Sequence, residues 1–407
     1  MTALKTEQTM TGQTQPGLII LLAACTALGP ISITLYTPSM SAIAAELGAT
    51  LPAVQNTLAL FLLGFGGGHL FIGPISDRFG RRPAILVGMA LYGLAGLVCA
   101  QTTSIEEMQI ARFCQGLLAC SGSLIARAVV RDRFEGVKAL RMFSFIGTIV
   151  ALAPALGPFV GGQLQVWFGW RATFYVLAGF GFLLLFFCGV FLRESNINPV
   201  VGFSPLRLAR TYGGLLRHRS YMGTVFLVGF TFAGFFANHN FLPFLLIGEL
   251  GIRPNYFGLL VVFIASAFAM GSFLAGWLGK RLSARTLVIT GTLVSLLGGL
   301  SMILLSGELT IIRVVVPMMI FGLGFGLITP PAINIALAPF PLAAGSASAM
   351  LGFIQMGLAG LINMTTGPLY DGTATPLGWI MLGGTGIALL MAYTGGVRES
   401  KDSAEVK

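Results

Sequence analysis

The chain has 407 residues, of which 55% are hydrophobic and only 9% are Asp, Glu, Lys or Arg. Soluble globular proteins carry about 25% charged residues, so this composition excludes a soluble enzyme, a disordered chain and a nucleic-acid-binding protein. The net charge of +10 has to be interpreted from where the basic residues lie.

Hydrophobic runs long enough to cross a bilayer recur along the whole chain. A helix needs about 20 apolar residues to span the hydrocarbon core. Twelve such runs are predicted, at 17–37, 54–74, 84–101, 108–130, 141–165, 171–193, 221–247, 256–278, 285–306, 310–331, 346–366 and 376–396. The runs are continuous rather than alternating, which disfavours a membrane β-barrel. The first run is too long for a signal peptide and follows a polar stretch rather than a basic one.

Basic residues are concentrated in every second loop. With the N-terminus in the cytoplasm, 20 of the 24 Lys and Arg residues fall on the cytoplasmic side, as the positive-inside rule requires. The acidic residues of the predicted outer loops are Glu46, Glu106, Glu107, Glu249, Glu308 and Asp371. The net positive charge therefore indicates topology, with both termini cytoplasmic.

The longest predicted internal loop divides the spans into two sets of six. Basic loops follow the second and eighth spans, and Lys280 follows Arg78 by 202 residues, about half of the chain. Parallel repeats of six spans are a common transporter architecture. The sequence therefore predicts an all-α membrane protein, with twelve transmembrane helices in two six-helix bundles. The predicted segments are an N-terminal cytoplasmic tail at 1–16, a bundle at 17–193, a central cytoplasmic loop at 194–220, a bundle at 221–396 and a cytoplasmic tail at 397–407.

The loop after the second span carries an acid among closely spaced basic residues and glycines. Its members are Gly73, Asp77, Arg78, Gly80, Arg81 and Arg82. Ions at the ends of spans can form charge-assisted hydrogen bonds between helices, and glycine permits tight turns. We interpret the group as a conformational switch; the alternative is a set of positive-inside anchors.

Two later spans carry polar or helix-bending residues. Arg112 lies in the fourth span with Gln115 one turn away; a buried arginine should face the bundle interior or water, although it could instead extend to the interface. The fifth span is crowded by proline and glycine, which bend helices and allow close packing. Those residues are Pro154, Gly157, Pro158, Gly161 and Gly162.

These motifs together resemble a known transporter family. The spacing Gly73-x-x-x-Asp77-Arg78-x-Gly80-Arg81-Arg82 resembles the signature loop of the major facilitator superfamily. Arg112-Phe-Cys-Gln115-Gly116 and Gly157-Pro158-x-x-Gly161-Gly162 resemble the superfamily's fourth-span motif and its antiporter signature. Together with Asp132 and Trp170-Arg171, they are similar to the bicyclomycin/chloramphenicol-resistance (Bcr/CflA-like) branch of drug:proton antiporters. The resemblance implies a twelve-helix inner-membrane exporter that is driven by a proton gradient.

The first span departs from that branch. The branch carries a carboxylate where this chain has Thr34, in Pro30-Ile-Ser-Ile-Thr34-Leu-Tyr36. No Asp or Glu lies deep in any predicted span, so the usual proton-coupling residue is missing. His69 and Asp77 are the proton-linked candidates that remain, because a buried histidine can change its charge near physiological pH; a neutral, hydrogen-bonded His69 is the alternative.

Polar residues elsewhere in the spans are candidates for a substrate cavity. They are Thr34, Tyr36, Asn334 and Gln355. Asn238, His239 and Asn240, near the outer end of the seventh span, could simply be interfacial. A cavity that offers hydrogen bonds and a positive field but no acid predicts a neutral or anionic substrate.

The sequence thus predicts a bacterial inner-membrane efflux transporter of small antibiotic-like, multidrug or siderophore-like compounds. We expect a monomer with no cofactor, since there is no metal-ligand spacing and no phosphate loop for ATP. An importer or facilitator on the same fold remains the alternative. Neither a membrane-embedded enzyme nor a channel is indicated, because clustered catalytic acids or histidines and pore-lining charge rings are absent.

Overall fold

The computed structural model describes residues 16–134, 136–196, 205–340 and 343–396, which are almost entirely helical. We number the helices α1 to α14 in chain order. They are α1 (Pro16–Thr34), α2 (Met40–Glu46), α3 (Leu51–Phe79), α4 (Arg81–Gln101), α5 (Ile105–Arg133), α6 (Gly136–Phe168), α7 (Trp170–Phe191), α8 (Pro205–Arg217), α9 (Arg219–Leu242), α10 (Pro254–Leu278), α11 (Ala284–Leu304), α12 (Ile311–Leu337), α13 (Ala344–Leu369) and α14 (Thr375–Met391).

The predicted membrane spans are confirmed, with bounds that differ by a few residues. In the described part of the chain, 11 helical segments are long and apolar enough to cross a membrane. The remaining predicted span, 141–165, falls within α6, which has 33 residues. Two spans are extended by π-helical turns: α9 continues through Pro243–Glu249 and α14 through Ala392–Gly396.

Two helices were not predicted from the hydrophobic runs. The short α2 follows α1 after a 3-10 turn at Thr37–Ser39. The amphipathic α8 lies in the predicted central loop, where its arginines broke the apolar pattern that marks a span. Its Leu215 is buried in a cluster with Tyr221 of α9 and Met350 of α13.

The helix pairings of the first six spans recur in the last six. Helix α3 packs against α5, and α10 against α12; α4 packs against α7, and α11 against α14. Helix α1 packs against α5, α6 and α7, and α9 packs in the same way against α12, α13 and α14. This is the pattern that a parallel repeat of six helices produces.

The two halves meet along two helix pairs that are equivalent under this repeat, α3 with α13 and α6 with α10. Glycine allows these helices to approach closely. Gly66 of α3 lies against Phe353 and Gly357 of α13, while Gly258 of α10 lies against the backbone of Pro158 and Phe159.

Helix ends at the two sides of the bundle differ in charge. We call the side where the chain turns at Gly48 the Gly48 end, and the side where it turns at Gly80 the Gly80 end; both glycines have positive φ. At the Gly48 end, Glu46 accepts hydrogen bonds from the side chains of Trp170 and Arg171. All the acids that were predicted in outer loops lie at this end.

Further contacts join the halves at the Gly48 end. The 3-10 turn contacts α10, and both this turn and α2 contact the π-helical turn that continues α9. Gln55 of α3 donates through Nε2 to the carbonyl oxygen of Asn240 on α9, 3.0 Å away. The halves therefore meet directly at this end in the described conformation.

Gly258→Ala should destabilise the contact between the halves, because its Cβ would collide with backbone atoms of α6. Overpacking of this kind costs about 1–3 kcal/mol, so we expect a clearly lower melting temperature in detergent. Gly276→Ala on the same helix is the matched control, since its Cβ would meet nothing within 4 Å. Equal melting temperatures for the two variants would show that the close approach is not required.

Candidate functional site

Arg81 is the centre of an ionic cluster at the Gly80 end. It forms an ion pair with Asp77, one helical turn before it, and a second through Nε with Asp132 Oδ2 at 3.1 Å. Arg81 Nη1 also donates to Ser76 Oγ at 2.7 Å. The Arg81 side chain is only 12% exposed, so these charge-assisted bonds tie together the ends of α3, α4 and α5.

Glu194, just beyond α7, completes this cluster. Its carboxylate accepts backbone N–H bonds from Arg81 at 2.9 Å and Arg82 at 3.0 Å, at the N-terminus of α4. Burial raises the pKa of Glu194, but the backbone N–H groups of Asn196, Arg81, Arg82 and Ser195 outweigh burial and hold the pKa below its usual range. A carboxylate at a helix N-terminus is also favoured by the helix dipole.

The two residues after Glu194 add further bonds. Ser195 Oγ donates to Asp132 Oδ2 at 3.1 Å, and Asn196 Nδ2 donates to the carbonyl oxygen of Asp77 at 2.7 Å. We call the whole group the clamp; it consists of Ser76, Asp77, Arg81, Asp132, Glu194, Ser195 and Asn196. The sequence motif predicted its first members but not Glu194-Ser195-Asn196, whose only signal is a polar run directly after a span.

The other residues of the predicted switch have more peripheral places. Gly80 lies between α3 and α4 with φ +99°, so the turn requires glycine. Gly73 lies inside α3, where a Cβ would meet nothing within 4 Å. The Arg82 side chain donates to the Gly189 carbonyl at 2.7 Å, and the Arg78 guanidinium lies over the ring of Phe79.

Arg112 of α5 is completely buried, with 0% exposure. Nη1 donates to Gln115 Oε1 at 2.7 Å, and Nη2 donates to the carbonyl oxygen of Ser32 on α1 at 3.2 Å. The guanidinium carbon lies 4.3 Å from the ring centre of Tyr36 and 4.2 Å from that of Phe61. Arg112 therefore faces the bundle interior and does not extend to the interface.

The Arg112 cation is compensated without an acid. No ion pair of Arg112 is found in the described part of the chain. A carbonyl, an amide and aromatic faces supply partial negative charge, and Arg112 Nε and Gln115 Nε2 have no partner. A buried positive charge with donors to spare favours an anionic or acceptor-rich group nearby.

The antiporter-like motif of α6 is a packing surface with two sides. Gly157 lies against Thr34 and Gly161 against the backbone of Leu35, both next to α1, whereas Gly162 lies against the backbone of Pro254 at the start of α10. The motif thus holds α6 to its own half and to the other half. Pro158 is buried, and the side chain of Pro154 lies outside the described residues.

An apolar cavity of about 250 Å³ lies beside this motif, between α1, α6 and α7. Gly157 and Val160 line it from α6, Ile31 from α1, Leu35 from the turn after α1, and Phe180 from α7. Val160 is exposed on the surface of the helix bundle, so the cavity opens toward the lipid side.

His69 is held by its own half. Its Nδ1 lies 2.8 Å from the Phe65 carbonyl oxygen and 3.3 Å from Cys120 Sγ, and its ring packs against Gly352 of α13. It is thus a partnered histidine at the junction of the two halves.

The four candidate cavity residues separate into two pairs. Thr34 is buried and donates to the Pro30 carbonyl at 3.0 Å, while Tyr36 is buried with its hydroxyl 3.3 Å from Thr57 Oγ1. Asn334 is exposed and Gln355 is partly exposed. In this conformation only the second pair is open to a ligand.

Asn238, His239 and Asn240 are all buried, so they are not interfacial. Asn240 Nδ2 donates to Thr366 Oγ1 of α13 at 3.1 Å, besides the bond from Gln55 to its carbonyl. The polar triplet inside an apolar run is the sequence signal for this group. Its burial follows from the contacts of Asn240 with α3 and α13, which a single sequence does not show.

Glu194→Gln should weaken the clamp in a pH-dependent way. Because the folded-state pKa of Glu194 is depressed, the ionised carboxylate stabilises the fold at neutral pH, and this contribution disappears as the pH falls through the folded-state pKa. We expect E194Q to melt a few degrees below the wild type at about pH 7, with the difference closing as the pH falls through the depressed folded-state pKa. Glu308→Gln is the control, since Glu308 is 75% exposed and, among the described residues, forms an ion pair with Arg313 alone. A pH-independent effect of E194Q would contradict the assignment.

Comparison with known proteins places the chain in a family. The Major Facilitator Superfamily model matches residues 22–364. The chain is 32% identical to the uncharacterized MFS-type transporter YdgK of Bacillus subtilis, over 91% of this chain and 93% of YdgK. It is 30% identical to multidrug resistance protein D of Escherichia coli, over 91% of this chain and 94% of the relative. It is 28% identical to the bicyclomycin resistance protein homolog of Haemophilus influenzae, over 92% and 94%.

Solved structures agree on the fold. The crystal structure of a D-xylose-proton symporter aligns with a TM-score of 0.73 at 16% identity, covering 95% of this chain and 98% of that chain. Since the sequence match covers most of the chain and the helix arrangement is shared, the chain is a member of the major facilitator superfamily, related to its multidrug and bicyclomycin resistance proteins.

Proposed function

We propose that the chain is a secondary active exporter of small neutral or anionic compounds, which works by alternating access across the bacterial inner membrane and is coupled to protons. The observation that carries this proposal is the end-to-end similarity to multidrug resistance protein D. The antiporter-like glycines that join α6 to both α1 and α10 support export over import. The working unit would be a monomer, and no cofactor is required.

The proposed orientation puts the Gly80 end in the cytoplasm. Basic residues lie at this end, among them Arg78, Arg81, Arg82, Lys280 and Arg281, and cytoplasmic loops are rich in basic residues. In this orientation the direct contacts between the halves at the Gly48 end would close the outer side.

The clamp is suited to a switch because α3, which carries Ser76 and Asp77, also contacts α8, a helix that packs on the other half. Burial and the charge of Asp77 raise the pKa of Tyr212 on α8. Tyr212 also donates to the Leu70 carbonyl of α3 at 3.4 Å, while α8 packs on α13. Movement of α13 relative to α3 would therefore disturb the surroundings of Asp77.

The charges inside the spans favour a substrate that is not a cation. In the described residues, every Asp or Glu of a spanning segment lies in its first or last turn, whereas Arg112 is buried without an acid. A permanent cation would lose its hydration without gaining a counter-charge. Amides, hydroxyls and carboxylates would instead be matched by guanidinium and amide donors.

Asp77→Asn should depress transport strongly while leaving membrane insertion intact, because it removes one of the two carboxylates that compensate Arg81. Efflux should be measured together with expression level. Asp371→Asn is the control, since Asp371 is exposed and accepts only from Thr373. Equal efflux by the D77N and wild-type proteins at equal expression would leave Asp77 as an anchor of topology.

Inside-out vesicles containing the protein should accumulate chloramphenicol when a pH gradient is applied, and should not accumulate ethidium. Chloramphenicol is neutral and rich in hydrogen-bond acceptors, so the positive charge of Arg112 attracts it, whereas the same charge repels ethidium, a permanent cation. Ethidium transport that Arg112→Ala fails to increase would contradict this account of the cavity. Uptake by right-side-out vesicles driven by the same gradient would favour the importer alternative.

A further inference from the structure

His239 is a buried histidine in the membrane-spanning part of α9. It lies 20 residues after Arg219 and 10 before Glu249 in a helical segment of 31 residues, next to Asn240, whose carbonyl accepts the bond from Gln55 near the start of α3. The residue is 6% exposed. Both ring nitrogens are buried and have no hydrogen-bond partner among the residues that the structure describes.

Aromatic rings surround the imidazole. It stacks on Phe236, with ring centres 4.8 Å apart and planes at 16°, and meets Phe235 edge-on at 6.2 Å. Phe235 in turn packs against Phe268 of α10 and Phe325 of α12. A phenylalanine would suit these surroundings better than a histidine that leaves buried polar atoms unpaired, each at a cost of about 1–3 kcal/mol.

No acid is near enough to balance a charged His239 in the described residues. Helices α13 and α14, which pack against α9, contain no titratable side chain, and α12 contains only Arg313, which pairs with Glu308 at the Gly48 end. The other titratable groups of the elements packed on α9 lie near helix ends. These are Glu249 in the π-helical turn that continues α9, Tyr370 beside it, Tyr393 in the π-helical turn that continues α14, Arg219 and Tyr221 at the start of α9, and Arg207, Arg210, Tyr212 and Arg217 of α8.

The neighbour of His239 joins the two halves. Gln55 of α3 donates to the Asn240 carbonyl, while Gln55 Oε1 and Asn240 Oδ1 remain unpaired. If the halves separate at the Gly48 end, this bond breaks and water reaches the segment that carries His239. A hydrated imidazole accepts a proton near neutral pH, whereas the closed aromatic surroundings exclude an uncompensated cation.

We propose that His239 is the residue that binds and releases the coupled proton, which deepens the proton coupling of the proposed function. A ring nitrogen takes a proton from water at the Gly48 end when that end is open. When the Gly48 end closes and the Gly80 end opens, the re-formed aromatic surroundings exclude the charged imidazole, and the proton leaves to water on the Gly80 side. His69, whose Nδ1 already has Phe65 and Cys120 as neighbours, does not have this role.

The first test requires no substrate. The exposed Cys114 is first replaced by Ser, and Ser39, which is fully buried at the Gly48 end, is then replaced by Cys. The rate of maleimide labelling is measured from about pH 8 to about pH 5.5. Each labelling rate is divided by the rate for the same cysteine in denatured protein at that pH, because maleimide reacts with the thiolate, whose fraction falls as the pH falls. Acid should raise this ratio several-fold, since protonation favours the open Gly48 end. His239→Gln should abolish this dependence and His69→Gln should keep it. A pH dependence of labelling that is unchanged in H239Q would overturn the proposal. If S39C does not fold, Ser41→Cys is used in its place.

The second test separates coupling from transport. Without a pH gradient, vesicles containing H239Q should exchange chloramphenicol at a rate within about twofold of the wild-type rate. With a pH gradient, their accumulation of chloramphenicol should be at least tenfold lower than that of the wild type. H69Q should retain both activities. Wild-type-like accumulation by H239Q would overturn the assignment of His239. A further outcome is that the wild type accumulates no chloramphenicol, while its labelling rate still depends on pH and that dependence is lost in H239Q. This result would contradict the proposed substrate but support His239 as the proton-binding residue.

Discussion

A polar group inside a bilayer has to find its partner within the protein, because the hydrocarbon core offers none. This constraint explains why the described chain is nearly all helix, since helices satisfy their own backbone groups. It also explains why span hydroxyls bond to carbonyls one turn back, as Thr26 does to Leu22 and Thr231 does to Leu227. The same constraint makes the exceptions informative. A carbonyl, an amide and aromatic rings surround the guanidinium of Arg112, whereas the ring nitrogens of His239 have no hydrogen-bond partner among the described residues.

Helix contact in a membrane depends on close packing, since lipid is as apolar as the side chains that face it. Glycine provides that contact on both sides of α6, and the repeat supplies an equivalent pair in α3 and α13. Two such seams hold the halves together while leaving each bundle with its own internal contacts. This arrangement lets rigid halves move against each other along seams where glycines allow close approach.

The sequence predicts spans well because about 20 apolar residues are a strong and nearly context-free signal. That signal does not detect α2, which has only seven residues, or α8, which is amphipathic. Among the site residues, the clamp motif predicted Asp77 and Arg81 by spacing, but Glu194 joins them only through the fold, 113 residues after Arg81. The burial of Thr34 and Tyr36 depends on how α1 packs against α3 and α6, which a single sequence does not reveal.

The clamp also bears on how the protein is made. Each of its groups lies between Ser76 and Asn196, so its last three residues are translated directly after α7 and before any helix of the second half. The N-terminal bundle therefore contains every group of its ionic cluster, and the cluster can close before the second bundle is complete. The bond from Asn196 to the Asp77 carbonyl would then fix the end of α7 to α3, and the second bundle would pack against a first bundle that is already folded.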